Sequence, residues 1–238
     1  MTMTKSQAWF EKNINEDEEA LIAIGELSNR AISDKFALTL TTPELPIAMY
    51  SVIFRSIKDV LKSKEEENSD YSIEIANRVK IGYSNYDNEN AEKNGNFMVF
   101  IKHIPGSKVE NTRDEEEETN KTIELAAQWN AINITTDIEV IQEIADKAKK
   151  NIDDELNTAI GSTELVIPLF ITIHESMISY LSLKRVELQE CEYEINMAGE
   201  FFVGVRENDE GEEEVYFIPP VDLRLAMKDD DAANKKAK

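Results

Sequence analysis

The sequence predicts an α+β fold, a tandem duplication of a helix-helix-helix-strand-strand unit packed about a pseudo-two-fold axis, and three observations predict it. The stretch 42–61, TPELPIAMYSVIFRSIKDVL, returns 120 positions later as STELVIPLFITIHESMISYL. Without a gap it pairs Glu44 with Glu164, Leu45 with Leu165, Ile47 with Ile167, Ile53 with Ile173, Ser56 with Ser176 and Leu61 with Leu181. The same offset sets the only two tryptophans opposite each other, Trp9 and Trp129, and goes on through Asn13/Asn133, Ile14/Ile134, Asp17/Asp137 and Ile24/Ile144. Beyond the repeated stretch, at an offset of 122, Tyr71, Ile73, Ile75, Val79 and Ile81 meet Tyr193, Ile195, Met197, Phe201 and Val203, with Gly82 facing Gly204.

A chain of 238 residues divided in this way gives two units near the usual domain size. The expected organisation is a first repeat over 1–110, an acidic linker over 111–120, a second repeat over 121–228 and a charged tail over 229–238. Five consecutive acids, Asp114 to Glu118, repel one another and suit an exposed connection running into the amino-terminal turn of the next helix. The tail from Asp229 is too poor in apolar residues to order itself alone.

Each element has a local reason. Lys5 to Ile14 is helix-forming, with Ala8, Trp9 and Phe10 as its apolar content. A second helix is expected over Glu16 to Ser33, capped by Asn15, with acids in its first turn and Leu21, Ile24 and Leu27 at helical spacing. Its copy runs from Asp137 through Ile141, Ile144, Ala148 and Ile152, with Thr136 as cap. Phe36 to Thr41, FALTLT, alternates like a strand, although its counterpart 156–161 does not. In the repeated stretch Leu45, Met49, Val52, Ile53, Ile57, Val60 and Leu61 recur three and four apart, which puts one broad apolar stripe on a helix. In the second copy Ile171 and Ile178 replace Ser51 and Lys58 and widen that stripe, so this helix lies deeper, either centrally or against a partner; Ile171 and Ile178 are the candidate partner contacts. The alternating residues that follow predict strands, and Asn94-Gly95 and Glu210-Gly211 are turn signals before 97–101 and 215–218. Pro219-Pro220 closes the regular pairing, and Leu223 and Leu225 resume it at an edge.

The net charge of −22 repels nucleic acid and anionic membrane and favours a basic partner or cations. The acids spread over both halves, 23 before residue 121 and 25 after it, as on a solvated surface. A lone Cys191 forms no intrachain disulfide or thiolate metal site, which fits a reducing compartment. The opening MTMTKSQAW lacks the apolar run of a secretory signal, and Leu165 to Ile173 is interrupted by His174 and Glu175 short of a membrane span, so synthesis in the cytoplasm is expected.

The chemical inventory is thin. His103 ends a strand, and His174 stands opposite Phe54 at the 120-residue offset, where space-filling near a core is the expected role. His174-Glu175 lacks the second histidine of a zinc-binding helix, no G-x-S-x-G elbow exists, and no glycine-rich phosphate loop is present. Glu192 beside Cys191 raises rather than lowers a thiol pKa. EF-hand registers on Gly95 or Gly211 put Ile101 or Phe217 where the bidentate acid belongs; only loose calcium binding by Asp209, Glu210, Glu212 and Glu213 is left. No catalytic, cofactor or metal residue is assigned. Retained pairs are mostly apolar, while Asp17/Asp137, Asp34/Asp154, Glu44/Glu164 and Ser56/Ser176 suit caps and turns, as duplication of a scaffold gives. The expected function is a non-enzymatic structural or assembly protein acting through protein–protein contacts in a larger assembly or homo-oligomer, without direct contact to nucleic acid or membrane. The Ile/Lys/Asn/Glu-rich composition points to a virion component, such as one of a bacteriophage. The alternatives are an acidic DNA mimic that inhibits a nucleic-acid-processing enzyme, and a small-ligand or loose cation-binding domain using the groove between the halves.

Overall fold

A computed structural model describes residues 3–14, 16–65, 70–76, 78–84, 96–101, 118–158 and 160–218. Among the described residues helices predominate, joined by two small antiparallel sheets, an α+β architecture. The first run of elements is α1 (Lys5–Asn13), α2 (Glu18–Phe36), α3 (Glu44–Glu65), β1 (Asp70–Ile75), β2 (Val79–Ser84) and β3 (Asn96–Ile101). The second is α4 (Glu118–Asn133), α5 (Ile138–Leu156), α6 (Val166–Leu188), β4 (Glu192–Met197), β5 (Phe201–Glu207) and β6 (Glu213–Ile218), with a 3₁₀ turn at Thr163–Leu165 leading into α6. Most of the expected linker and all of the charged tail, with Pro219, Pro220, Leu223 and Leu225, lie outside the described residues.

Local chemistry sets the boundaries. α1 begins in a capping box: the Gln7 amide donates to the Thr4 hydroxyl at 3.2 Å, and the Thr4 amide donates to the Gln7 side chain at 3.0 Å. The caps of α2 and α5 differ from those expected. Asp17 and Asp137, not Asn15 and Thr136, occupy the N-cap position, with φ of 59° and 53° and no capping side-chain bond. At the other end Ala37 and Asn157, both at φ 52°, stop the helices in the left-handed region. This corrects the strand expected over Phe36 to Thr41: α2 runs three residues further than Ser33, and its last residue, Phe36, is buried in the core. Alternation in FALTLT reflects burial of Phe36 at a helix end and of Leu40 in the following segment.

Each sheet has three strands where the alternation suggests two. The run 71–81 is cut by a turn at Ala76, φ 55°, so that Ile75 pairs with Val79 and Tyr71 with Tyr83. Ala198, φ 53°, makes the same turn between β4 and β5 and pairs Met197 with Phe201. The orders are β1-β2-β3 and β4-β5-β6, both antiparallel.

Helix packing crosses between the runs. α3 lies most extensively on α5, α2 lies on α6, and α3 also touches α6. One contiguous hydrophobic core draws on both runs and holds Leu21, Ile24, Ile47, Met49, Ile53, Ile57 and Leu61 with Ile144, Ile152, Leu169, Phe170, Ile173 and Leu181. Burial of each such side chain contributes about 1.5–3 kcal/mol. Residues 165–174 are buried on every side, as in a helix that is apolar all round. The segment Thr163–Leu188 is long and apolar enough to cross a membrane, but 78% of its most apolar window is covered by the protein itself, as in a core helix.

Gly25 sets how closely α2 meets the segment before α3: a Cβ there falls 1.9 Å from the Pro43 carbonyl oxygen. Backbone cannot yield as a flexible side chain can. Gly25→Ala is therefore expected to lower unfolding free energy by about 1–3 kcal/mol in urea titration. Gly161→Ala, where a Cβ meets nothing within 4 Å, is the neutral comparison.

Candidate functional site

On the seam between α3 and α6 two polar side chains meet in the interior. Tyr50 of α3 stacks on Phe170 of α6, ring centroids 4.6 Å apart and 8° from parallel. One turn along, His174 is buried, with its Nδ1 2.8 Å from the Tyr50 hydroxyl. Phe217 covers its ring at 5.9 Å, and Phe54 packs against Phe201 at 4.3 Å. The Nε2 of His174 meets no partner. Burial disfavours the charged imidazolium and lowers the His174 pKa to about 4, and burial raises that of Tyr50. His174 is a core histidine. His103 lies outside the described residues.

Two ion clusters flank the seam. In one, Glu175 of α6 accepts from Lys35 at the end of α2, at 2.7 Å, and from Arg78 in the β1–β2 turn. Burial, then the charge of Arg78, lower the Lys35 pKa, and burial lowers that of Arg78. In the other, Arg55 of α3 meets Glu155 at the end of α5, at 2.7 Å, and Glu200 in the β4–β5 turn, at 3.5 Å. Lys58 adds a further contact to Glu200 at 3.8 Å.

The candidate residues from the sequence are dispersed. Ile171 is 1% exposed inside the core and Ile178 half-buried at its edge, so the widened stripe of α6 is met by the chain's own core. Asp209, Glu210, Glu212 and Glu213 are exposed around the β5–β6 turn. There the Asn208 side chain accepts the Glu210 and Glu212 amides, while Glu213 takes the Ser182 hydroxyl at 2.6 Å and lies 3.6 Å from Arg185. Among the described residues no three His, Cys, Asp or Glu side chains converge as a metal site. Cys191 is exposed and unpaired.

Among the described residues the exposed large apolar side chains are Met3 in the first run and five in the second, a feature that core-directed periodicity does not reveal. Leu183, Val186 and Leu188 stand out from the last turns of α6, the most exposed at 66%. Ile132 and Ile138, 71% and 60% exposed, flank the α4–α5 corner. Beside them lies a groove of about 280 Å³ lined by Ala131, Ile134, Ile138, Ile141, Ala145 and Ile167, with polar groups at its rim. At the matched place in the first run Phe10, buried in the core, stands where the second has Asn130, and Gly25 admits a closer approach than Ala145. A second cleft, about 220 Å³ and open, lies between the α1–α2 corner and the β4–β5 turn, lined by Lys12, Asn13, Glu16 and Asn196 among others. Both fall below the volume usual for small-molecule pockets. Comparison with family models, with curated proteins and with solved structures gave no match.

The buried histidine has a measurable consequence. Unfolded His174 takes up a proton near 6.5 and the folded one only near 4, so unfolding gains a proton between those values. Stability contributed by the neutral ring is complete above about pH 6.5 and falls as pH drops towards 4, by roughly 3 kcal/mol at most. Denaturant titrations at several pH values should show that component in the parent chain and not in His174→Phe, which carries the side chain found at position 54.

Proposed function

We propose that the chain is a tandem duplication of one α+β unit about a pseudo-two-fold axis, serving as a non-enzymatic structural or assembly protein. Several fine details support the duplication. Left-handed residues recur at matched positions, Asp17 with Asp137, Ala37 with Asn157 and Ala76 with Ala198, although this conformation is costly for a residue with a Cβ. The Asn13 and Asn133 side chains donate to the carbonyls of Trp9 and Trp129 at 2.7 and 2.8 Å, which gives the tryptophan repeat a matched hydrogen bond. Ser56 and Ser176 each donate to the carbonyl four residues earlier at 2.9 Å. Tyr50 and Phe170, a matched pair, stack on each other, as residues on a two-fold axis do.

The assembly reading is carried by the exposed apolar surface of the second run. In the first run the buried Phe10 stands where the second has Asn130; the groove of the second run is flanked by Ile132 and Ile138. An apolar groove with a polar rim suits an inserted side chain from another protein better than a free ligand. A duplicated scaffold that diverges on one half only acquires a one-sided contact of this kind while the other half keeps the fold. Incorporation into a virion is the setting proposed from composition.

Size-exclusion chromatography with light scattering tests this, on the purified chain and on lysate from its natural source. The expected outcome is a homomeric complex or co-elution with a particle. Val186→Glu and Ile138→Glu should abolish it while shifting stability by no more than about 0.5 kcal/mol, the usual effect of surface changes. A monomer that captures a nucleic-acid-processing enzyme, released by salt, overturns the reading in favour of an acidic DNA mimic.

A further inference from the structure

The two ion clusters occupy matched places and carry opposite signs. At the offsets read from the sequence, Lys35 corresponds to Glu155, Arg55 to Glu175 and Arg78 to Glu200. In each cluster a residue of one half's third helix sits between the end of the other half's second helix and that same half's first strand turn. The first half supplies all three cations and the second all three anions. Lys58–Glu200 and Lys64–Glu143 run the same way; Lys147–Asp59 runs the other way.

Resting on the duplication reading, we infer that these six residues form a recognition code by which the first half accepts the second half and rejects another copy of itself. Two first halves meeting through this seam bring Lys35, Arg55 and Arg78 together in each cluster, three cations and no anion. Two second halves bring Glu155, Glu175 and Glu200 together, three anions and no cation. Only the unlike pairing gives alternating charge at both places. Like charges in contact are repelled, and these side chains are only 22–37% exposed, so water screens them incompletely. The ring stack and the isoleucines of the seam offer no such choice, since Tyr50 and Phe170 are both flat aromatics and Ile53 and Ile173 are the same residue; the Tyr50–His174 bond forms only in the unlike pairing and acts in the same sense as the charges. Charge tells the halves apart at the flanks of the seam. The partner this surface fits is thus the opposite half, of the same chain or of a second copy of it, so any association of two copies through the seam joins first half to second half.

The code is testable in the full chain by reversal. One triple variant, Lys35→Glu with Arg55→Glu and Arg78→Glu, makes both clusters wholly acidic. The opposite triple, Glu155→Lys with Glu175→Arg and Glu200→Arg, makes both wholly basic. Each should lower Tm by on the order of 10 °C in low salt, with part of the loss recovered at 1 M NaCl. The sixfold variant restores alternation with the signs exchanged and should return to within about 3 °C of the parent. The second triple also moves the net charge from −22 towards zero, so its loss of stability cannot come from general repulsion. If a triple does not fold at all, folding of the sixfold variant still supports the code. Triples as stable as the parent overturn it, as does a sixfold variant no more stable than the triples. The duplication is judged separately: an experimental structure whose α2–α3 and α5–α6 pairs do not superpose removes it and leaves the reversal result standing.

Discussion

The fold depends on one constraint, that the third helix of each run has no complete core of its own. α3 and α6 are apolar over more of their circumference than a helix at a surface tolerates, and each is covered by the second helix of the other run as well as by its own sheet. Where they touch, Tyr50 and Phe170 lie flat against each other and close the interior. Everything else follows from covering these two helices: the left-handed stops at Ala37 and Asn157 that redirect the chain, the close approach at Gly25, and the sheets that take up the remaining apolar faces. The interior admits few polar groups: buried serines of α2, α3 and α6 turn their hydroxyls back onto their own helix, and His174 bonds Tyr50 across the seam.

Much of this was legible in the sequence. The helical stripe at Leu45, Met49, Ile53, Ile57 and Leu61 is a core face, but the expectation that α6 lies deeper than α3 fails: Ser51 is as buried as Ile171, and Lys58 as half-buried as Ile178, because a small hydroxyl or a long aliphatic stem is covered as readily as an isoleucine. The placement of His174 opposite Phe54 pointed to a space-filling role near a core, and the residue is buried in the core. The errors lie where local pattern and tertiary packing disagree. FALTLT alternates, yet Phe36 ends a helix, because the φ reversal at Ala37 is not encoded by side-chain type. The turn at Ala76 is equally silent, since alanine rarely takes a left-handed φ, so one long run of alternation hid two strands.

The charge clusters were missed for a different reason. Comparing the halves for identity finds Ile53/Ile173 and Ser56/Ser176 and passes over Lys35/Glu155, Arg55/Glu175 and Arg78/Glu200 as mismatches. Mismatches of opposite sign at contacting positions are as specific a signal as identities, but only topology says which positions touch. The open groove is likewise invisible without the fold, because its lining comes from α4, α5 and the start of α6, and only packing brings Ala131, Ile141 and Ile167 side by side.

The sharing of the core between runs bears on how the protein is made. On a ribosome adding roughly 5–20 residues per second, α3 emerges about ten seconds before α6 is complete. During that interval Ile47, Met49, Ile53, Ile57 and Leu61 lack their eventual cover, since α5 and α6 do not yet exist. The nascent chain thus carries a long apolar face with nothing native to bury it, a target for a chaperone or for a neighbouring chain on the same message. Carrying both runs on one chain shortens that exposure, because the missing surface arrives tethered to the helix that needs it.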